Sequence, residues 1–229
     1  MYNYLEEELD QLRTRIIKMG SLVEEQIEFA FKGLFEANLD LANLVKERDD
    51  KVDKFDVKID KHCQRIFALT QPVAVDLRLI MSALKINNDL ERMGDIAVNI
   101  AERTEPLMND IALLKQVKID EMAVLVQKIV RSSIDSFVNN DRELALEIIK
   151  LDNNVDEMDI KIFNELISIM ENDKSRIRAC SHAITLLRNV ERLSDHATNI
   201  AEDVYFLTDA KIIKHRKDID ELDKPKTTE

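Results

Sequence analysis

The sequence predicts an all-α protein, six long helices forming two sequence-related antiparallel three-helix bundles, and three observations carry that prediction. Breakers are scarce: the 229 residues include three glycines and three prolines, and strand-like alternation of apolar and polar residues is almost absent. Apolar residues instead recur at helical spacing through long uninterrupted segments. The chain also repeats itself. "DLERMGDIAVNIAE", Asp89 to Glu102, returns as "NVERLSDHATNIAE", Asn189 to Glu202, with eight of fourteen positions identical, where two unrelated helical segments would share roughly one.

The breakers parse the chain in order. The first helix runs to "ANLD" at 37–40, where the Asn is a stop and Asp40 a cap for the second helix. The second ends at "TQPVAVD", 70–76, which carries Pro72, and the third at "TEP", 104–106, which carries Pro106. A looser stretch reaches about Lys118. The fourth helix then runs to about Val138, a turn at "NND" 139–141 introduces a fifth that reaches Glu171, and "ND" at 172–173 precedes a sixth that reaches about Asp209. The mixed run "KIIKHRKDIDELDKPKTTE" that follows reads as a frayed, solvated end. A second repeated pair, "DDKVDKFDVKI" (49–59) and "DNNVDEMDIKI" (152–162), is offset by 103 residues against 100 for the third helices, because "QPVAVD" has a shorter counterpart in the second half. Short connections between long helices make neighbours antiparallel. The expected division is residues 1–108 and 109–229.

Composition narrows the function. A hydrophobic fraction of 45% supports real cores, while a formal net charge of -12 repels a nucleic-acid backbone and favours cations as guests. No nucleic-acid partner is expected. "MYNYLEEELDQL" is acidic where a secretory signal would be basic and then apolar, and no apolar run approaches the roughly 20 residues that cross a bilayer. A cytoplasmic, soluble protein is the expectation. Cys63 and Cys180 have no CxxC partner, so they read as buried thiols rather than as a disulfide or a zinc ribbon.

The repeat also points to a site. On a helical wheel, Glu91, Asp95, Asn99 and Glu102 form one polar stripe, with Leu90, Met93, Ile96, Ala97 and Ile100 on the opposite arc. Glu191, Asp195, Asn199 and Glu202 repeat the stripe. Any amphipathic helix has a charged face, and 45 acids will produce pairs four apart by chance. The informative fact is which face survived duplication: Leu90, Met93, Gly94, Ile96 and Val98 changed to Val190, Leu193, Ser194, His196 and Thr198, while the acids, Asn99 and Arg92 recur. A merely solvated face drifts, since surface substitutions shift stability by less than about 0.5 kcal/mol.

The second helix of each half supplies another row, Asp49, Asp53 and Asp56, reproduced as Asp152, Asp156 and Asp159. Carboxylate rows on adjacent helices repel unless water screens them or cations bridge them. Oxygen donors from Asp, Glu and Asn suit divalent or trivalent hard ions such as iron, manganese, magnesium or calcium, with zinc also within reach, and several acids per site suit a multinuclear arrangement. His196 is expected to flank the site, His182 to be a satisfied core histidine, and His62 and His215 show no ligand spacing. Arg92 and Arg192 border the stripes as countercharge or as a partner contact.

"PVAVDLRLIMSALKINNDLERMGDIAVNIAE", followed one unit later by "ITLLRNVERLSDHATNIAEDVYF", resembles the PhoU family of phosphate-uptake accessory proteins. The resemblance spans nearly the whole chain and rests on two Glu-Arg-x-x-Asp motifs, two upstream acidic motifs and the duplication. It implies multinuclear metal sites on the paired acidic motifs and a homodimer. One site would use Asp49, Asp53, Glu91 and Asp95, the other Asp152, Asp156, Glu191 and Asp195, with Asp56, Asn99, Asp159 and Asn199 as supplementary ligands. It further implies a non-catalytic negative regulator of the phosphate-starvation response, a cytoplasmic adaptor between the phosphate ABC transporter, through its ATPase subunit, and a sensor histidine kinase, peripheral to the inner face of the membrane through these partners. Two rival readings remain: a metal-dependent, phosphoesterase-like enzyme, and a purely structural helical adaptor. Di-iron oxidases of bundle type use a Glu-x-x-His pair, which this chain lacks.

Overall fold

The computed structural model describes residues 2–211 and Ile213. Its elements in chain order are α1 (Tyr2–Phe35), α2 (Leu39–Leu69), α3 (Val75–Ala101), α4 (Thr104–Leu107), α5 (Ile111–Gln116), α6 (Ile119–Asn139), α7 (Arg142–Asn172) and α8 (Ile177–Asp209), with a 3₁₀ turn at Lys174–Arg176 before α8. Among the described residues there is no strand. The six long helices are those expected, while the looser stretch after the third proves to be the short helices α4 and α5. Their apolar residues, Leu107, Leu113 and Leu114, are buried, which holds two elements too short for stability on their own. Pro106 lies inside the first turn of α4, where a missing N–H breaks no helical bond. The tail expected to be frayed, with His215, lies outside the described residues apart from Lys211 and Ile213.

Caps fix the ends. Asn38 caps α2, accepting from the N–H groups of Asp40 and Leu41. Asp40, expected as the cap, sits instead in the first turn, where its charge favours the helix dipole. Asp141 caps α7 by accepting from Leu144 N–H at 3.0 Å.

α1, α2 and α3 form one three-helix set, and α6, α7 and α8 the other. The two sets join along α3 and α8. Lys85 Nζ lies 2.8 Å from Asp203 Oδ1 and Asp89 Oδ1 2.8 Å from His196 Nδ1, so residue numbers rise on one helix as they fall on the other, an antiparallel pairing. α1 and α6 also touch: a Cβ at Gly20 would stand 3.1 Å from Ile134 Cγ2, so the glycine permits the approach. Ile16, Ile86, Leu90, Ile134, Phe137 and Ile200 meet at this join, making one core of the two halves. Cys63 and Cys180 are buried and free, and burial pushes the Cys63 thiol up to about 12.

Of the histidines, His62 takes a structural role and His182 differs from expectation. His62 is buried and its Nε2 lies 2.8 Å from Glu8, which also bonds Arg65, so α1 and α2 are stapled near one end. The Arg65 guanidinium, followed by the His62 bond, holds the Glu8 carboxyl below its usual range against the opposing effect of burial. His182 is only half-buried, because its position on α8 lies at the edge of the apolar stripe rather than within it.

Candidate functional site

The core faces of α2 and α3 are set by Val52, Ile59, Leu90, Met93, Ala97 and Ile100, all buried. With those positions inside, helical periodicity turns Asp49, Asp53 and Asp56 on α2 and Glu91 and Asp95 on α3 toward the seam between the two helices at the surface. The acids sense one another across it. Asp49 is raised first by burial, then by Asp53, Asp95 and Asp50, against a lowering bond from Gln26. Glu91 is raised by burial and by Asp95, Asp56 and Asp53, with Arg92 opposing. Arg92 supplies the expected countercharge, its Nε 3.6 Å from Glu91 and its Nη1 3.7 Å from Asp95.

Donors behind the seam orient the α2 row. Gln26 on α1, fully buried, donates from Nε2 to Asp49 Oδ1 at 3.0 Å and to the Val45 carbonyl at 3.2 Å. Asn87 on α3 donates to Asp56 Oδ1 at 2.6 Å. Burial raises Asp56 and Asp60 raises it further, while the Asn87 bond lowers it.

The second half reproduces the seam on α7 and α8. Ser194 donates to Asp152 Oδ1 at 2.6 Å, and Arg188 Nη1 lies 2.6 Å from Asp159 Oδ2. Asp159 is buried at 7% exposure and its other oxygen, Oδ1, is buried without a partner. Burial raises Asp156 and Asp195, and the two rows again act on each other, Asp152 and Asp156 raising Asp195. Glu191 is the extreme: burial first, then Asp195 and Asp159, push its carboxyl up to about 7 despite Arg188.

The two asparagines behave differently from the acids. Asn99 is exposed. Asn199 donates to Asp89 Oδ1 at 3.2 Å across the α3–α8 join, and His196 bonds the same oxygen. His196 thus joins the two halves while its charge also acts on Asp195, so it flanks the acidic seam as expected. The residues that sequence reasoning missed are Gln26, Asn87, Asp89 and Arg188. A lone glutamine gives no signal, but the exchange of Asn87 and Asn88 for Leu187 and Arg188 was visible in the repeat.

Whether these seams suit a cation is decided by their donors. Each offers facing carboxylates whose charge is held at a cost, and one offers a buried oxygen lacking a partner, which a hard ion would satisfy. Among the described residues, no three carboxylate, imidazole or thiol groups are grouped closely enough to hold an ion as placed. The seams therefore fit a cation by donor chemistry and by facing, and side-chain rotation must complete the set.

Fold and site together define a class: duplicated all-α proteins whose paired three-helix units each carry an acidic seam. The family model described as the PhoU domain matches twice, at residues 16–104 and 119–204. The chain belongs to the PhoU family. It is 40% identical over 209 residues to a phosphate-specific transport system accessory protein PhoU homolog of Aquifex aeolicus, covering 91% of this chain and 95% of that one. A homolog of the same description from Zymomonas mobilis is 35% identical over 211 residues, covering 92% and 89%. The crystal structure of PhoU from Pseudomonas aeruginosa superposes with a TM-score of 0.83 at 37% identity, covering 90% of this chain and 99% of that one. The phosphate transport system regulatory protein PhoU from Streptococcus pneumoniae gives 0.84 at 26% identity, covering 91% and 99%. These relatives carry accessory and regulatory names. No helix among the described residues is long and apolar enough to cross a membrane.

Proposed function

We propose that this protein is a non-catalytic negative regulator of phosphate uptake and of the phosphate-starvation response, working as a homodimeric cytoplasmic adaptor between the phosphate ABC transporter and a sensor histidine kinase, with metal ions on its two acidic seams. The relatives' names support the phosphate-transport role. The single observation that supports the metal reading is the facing of Asp49 and Asp53 with Glu91 and Asp95, repeated by Asp152 and Asp156 with Glu191 and Asp195, where burial and the neighbouring acids raise Asp49, Glu91, Asp156, Glu191 and Asp195.

A bound ion would supply positive charge on an otherwise acidic face. The chain's part is to hold the donors. Gln26, Asn87, Ser194 and Arg188 fix one oxygen each of Asp49, Asp56, Asp152 and Asp159 and leave the second oxygen of each carboxylate for another bond. The resulting face then attracts phosphate or an acidic surface on the transporter's ATPase subunit or the kinase.

Metal analysis of protein purified without chelator tests the reading. Bound metal should fall by about half in Glu91→Gln/Asp95→Asn and again in Glu191→Gln/Asp195→Asn, and vanish when all four are changed. Metal-free wild-type protein, or undiminished metal in the fourfold variant, rejects it. Treatment with chelator should also weaken capture of the transporter's ATPase subunit.

A further inference from the structure

One end of the first half is unlike anything in the second. Where α2 turns into α3, the apolar residues Leu69, Val73 and Val75 are 61%, 67% and 59% exposed, and Phe67, Leu77 and Met81 beside them are exposed as well. The corresponding end of the second half, 172–176, is polar and self-contained. Asp173 accepts from the Ser175 N–H and hydroxyl, Arg176 reaches Asp110 at 3.3 Å, and Ile177 is the large exposed hydrophobic residue there among those described. A cluster of solvent-facing aliphatic side chains on one hairpin end marks a contact surface.

A row of cations leads to it. Lys51, Lys54, Lys58, Lys61 and Arg65 are spaced three and four apart on α2, which puts them on one face, and all are exposed. Ala68 and Leu69 continue that face to the hairpin end. Lys54, Lys58 and Lys61 line a shallow cleft with Val57, Asp50 and Asp53. At the matching positions α7 carries Asn154, Glu157, Lys161, Asn164 and Ser168, so the row belongs to the first half alone. The row is not free of acids: Arg65 is engaged by Glu8, and Asp76 sits in the first turn of α3.

We propose that the α2–α3 end and the lysine face of α2 dock directly on an anionic membrane surface. A helical hairpin end is convex, a shape that enters a headgroup layer rather than receiving a peptide. Aliphatic side chains at such an end bury in the acyl boundary, while lysines alongside reach lipid phosphates with their stems along the apolar surface. Charge complementarity selects the lipid: in a chain of net charge -12, this concentrated row attracts an anionic leaflet while the acidic remainder is repelled, which sets one orientation. The contact needs no metal and adds a lipid surface to the protein partners of the regulatory reading.

Co-sedimentation with vesicles, in the presence of chelator, tests this. The full chain is mixed with phosphatidylcholine vesicles or with vesicles of equal parts phosphatidylcholine and phosphatidylglycerol. Wild type should sediment with the second kind only, and less as salt is raised. Lys54→Glu/Lys58→Glu/Lys61→Glu should weaken partitioning by about a hundredfold from the three lysines lost, at about fivefold each, and by about as much again from their reversal. Leu69→Ser/Val73→Ser/Val75→Ser should weaken it about tenfold or more. Lys161→Glu/Lys174→Glu in the second half should leave it unchanged. All these positions are exposed, and circular dichroism verifies that the variants fold. Absence of wild-type binding to the anionic vesicles, or binding as strong as wild type by either first-half variant, overturns the proposal. So does loss, in those variants, of capture by a detergent-solubilised phosphate transporter when wild type ignores vesicles; that result gives the surface to a protein.

Discussion

The two acidic seams carry the same acids held by different hands. In the first half neutral amides do the holding: Gln26 bonds Asp49 and Asn87 bonds Asp56. In the second a hydroxyl and a guanidinium replace them, Ser194 on Asp152 and Arg188 on Asp159. After duplication the hydrogen-bond partners were exchanged while the carboxylates stayed, so the requirement falls on the acids and not on any one way of orienting them. The exchange also leaves a charge difference, because Arg188 brings a cation onto Asp159 while among the described residues the bond to Asp56 comes from the neutral Asn87.

The largest expected consequence is in stability without metal. Removing the guanidinium in Arg188→Met strands Asp159, which is 7% exposed and already has one unpartnered oxygen. Loss of one partner of a buried pair costs about 3–5 kcal/mol, and the half-exposed arginine reduces this to about 2 kcal/mol. Asn87→Leu installs in the first half the residue found at 187, and its expected cost is about 1 kcal/mol, since a neutral amide is lost from a half-buried Asp56. Urea unfolding with chelator measures both. Equal costs would mean that charge in the holder carries no weight and that the halves differ in residue identity only.

A smaller difference appears with pH. In the folded protein Glu191 titrates near 7, against 4.5 for an ordinary glutamate. Between those values the folded state retains a proton the unfolded chain has lost, so stability falls as pH rises through this interval and levels off above it. Glu191→Gln should flatten that slope in chelator-treated protein. Glu91→Gln should flatten it less, for Glu91, raised by burial first and then by Asp95, has Arg92 opposing the rise from the next position on its own helix. The check is urea unfolding from pH 5 to 8, and equal slopes for the two variants would erase the distinction between the seams.

Most of the fold could be read from spacing and breakers, because long amphipathic helices announce themselves residue by residue. α4 and α5 could not, since they are held by Leu107, Leu113 and Leu114 in a core assembled from distant segments. The acidic rows were legible for the same reason as the helices: they are periodic and they recur. Their supports were not. Gln26 acts from α1, some twenty residues from the acid it holds, and Asn199, although it lies on the stripe by angle, spends its amide on Asp89 of the other half. A helical wheel assigns angles on one rod and is blind to which neighbouring rod comes closest.

The smallest expected effect tests that closeness most directly. Gly94 and Ser194 are matched positions, and a Cβ at Gly94 would stand 3.2 Å from Val52 Cγ1 and 3.4 Å from Asp49 Oδ1. Ser194 shows what such a residue does where it exists: it donates to Asp152 at 2.6 Å, in a half where Val155 is the sequence counterpart of Val52. Gly94→Ser should therefore gain about 0.5 kcal/mol of helix propensity and about 1 kcal/mol from a new bond to Asp49. Pressing on Val52 should return about 1 kcal/mol of this, leaving a net gain near 0.5 kcal/mol in metal-free protein. A gain of that size means that α2 and α3 can adopt the spacing of α7 and α8, and that the halves differ in side chains alone. A loss of more than about 1 kcal/mol means that the first pair is packed more tightly than the second. The donors facing across its seam would then be held at a different separation, with a different preference for the size of the ion between them.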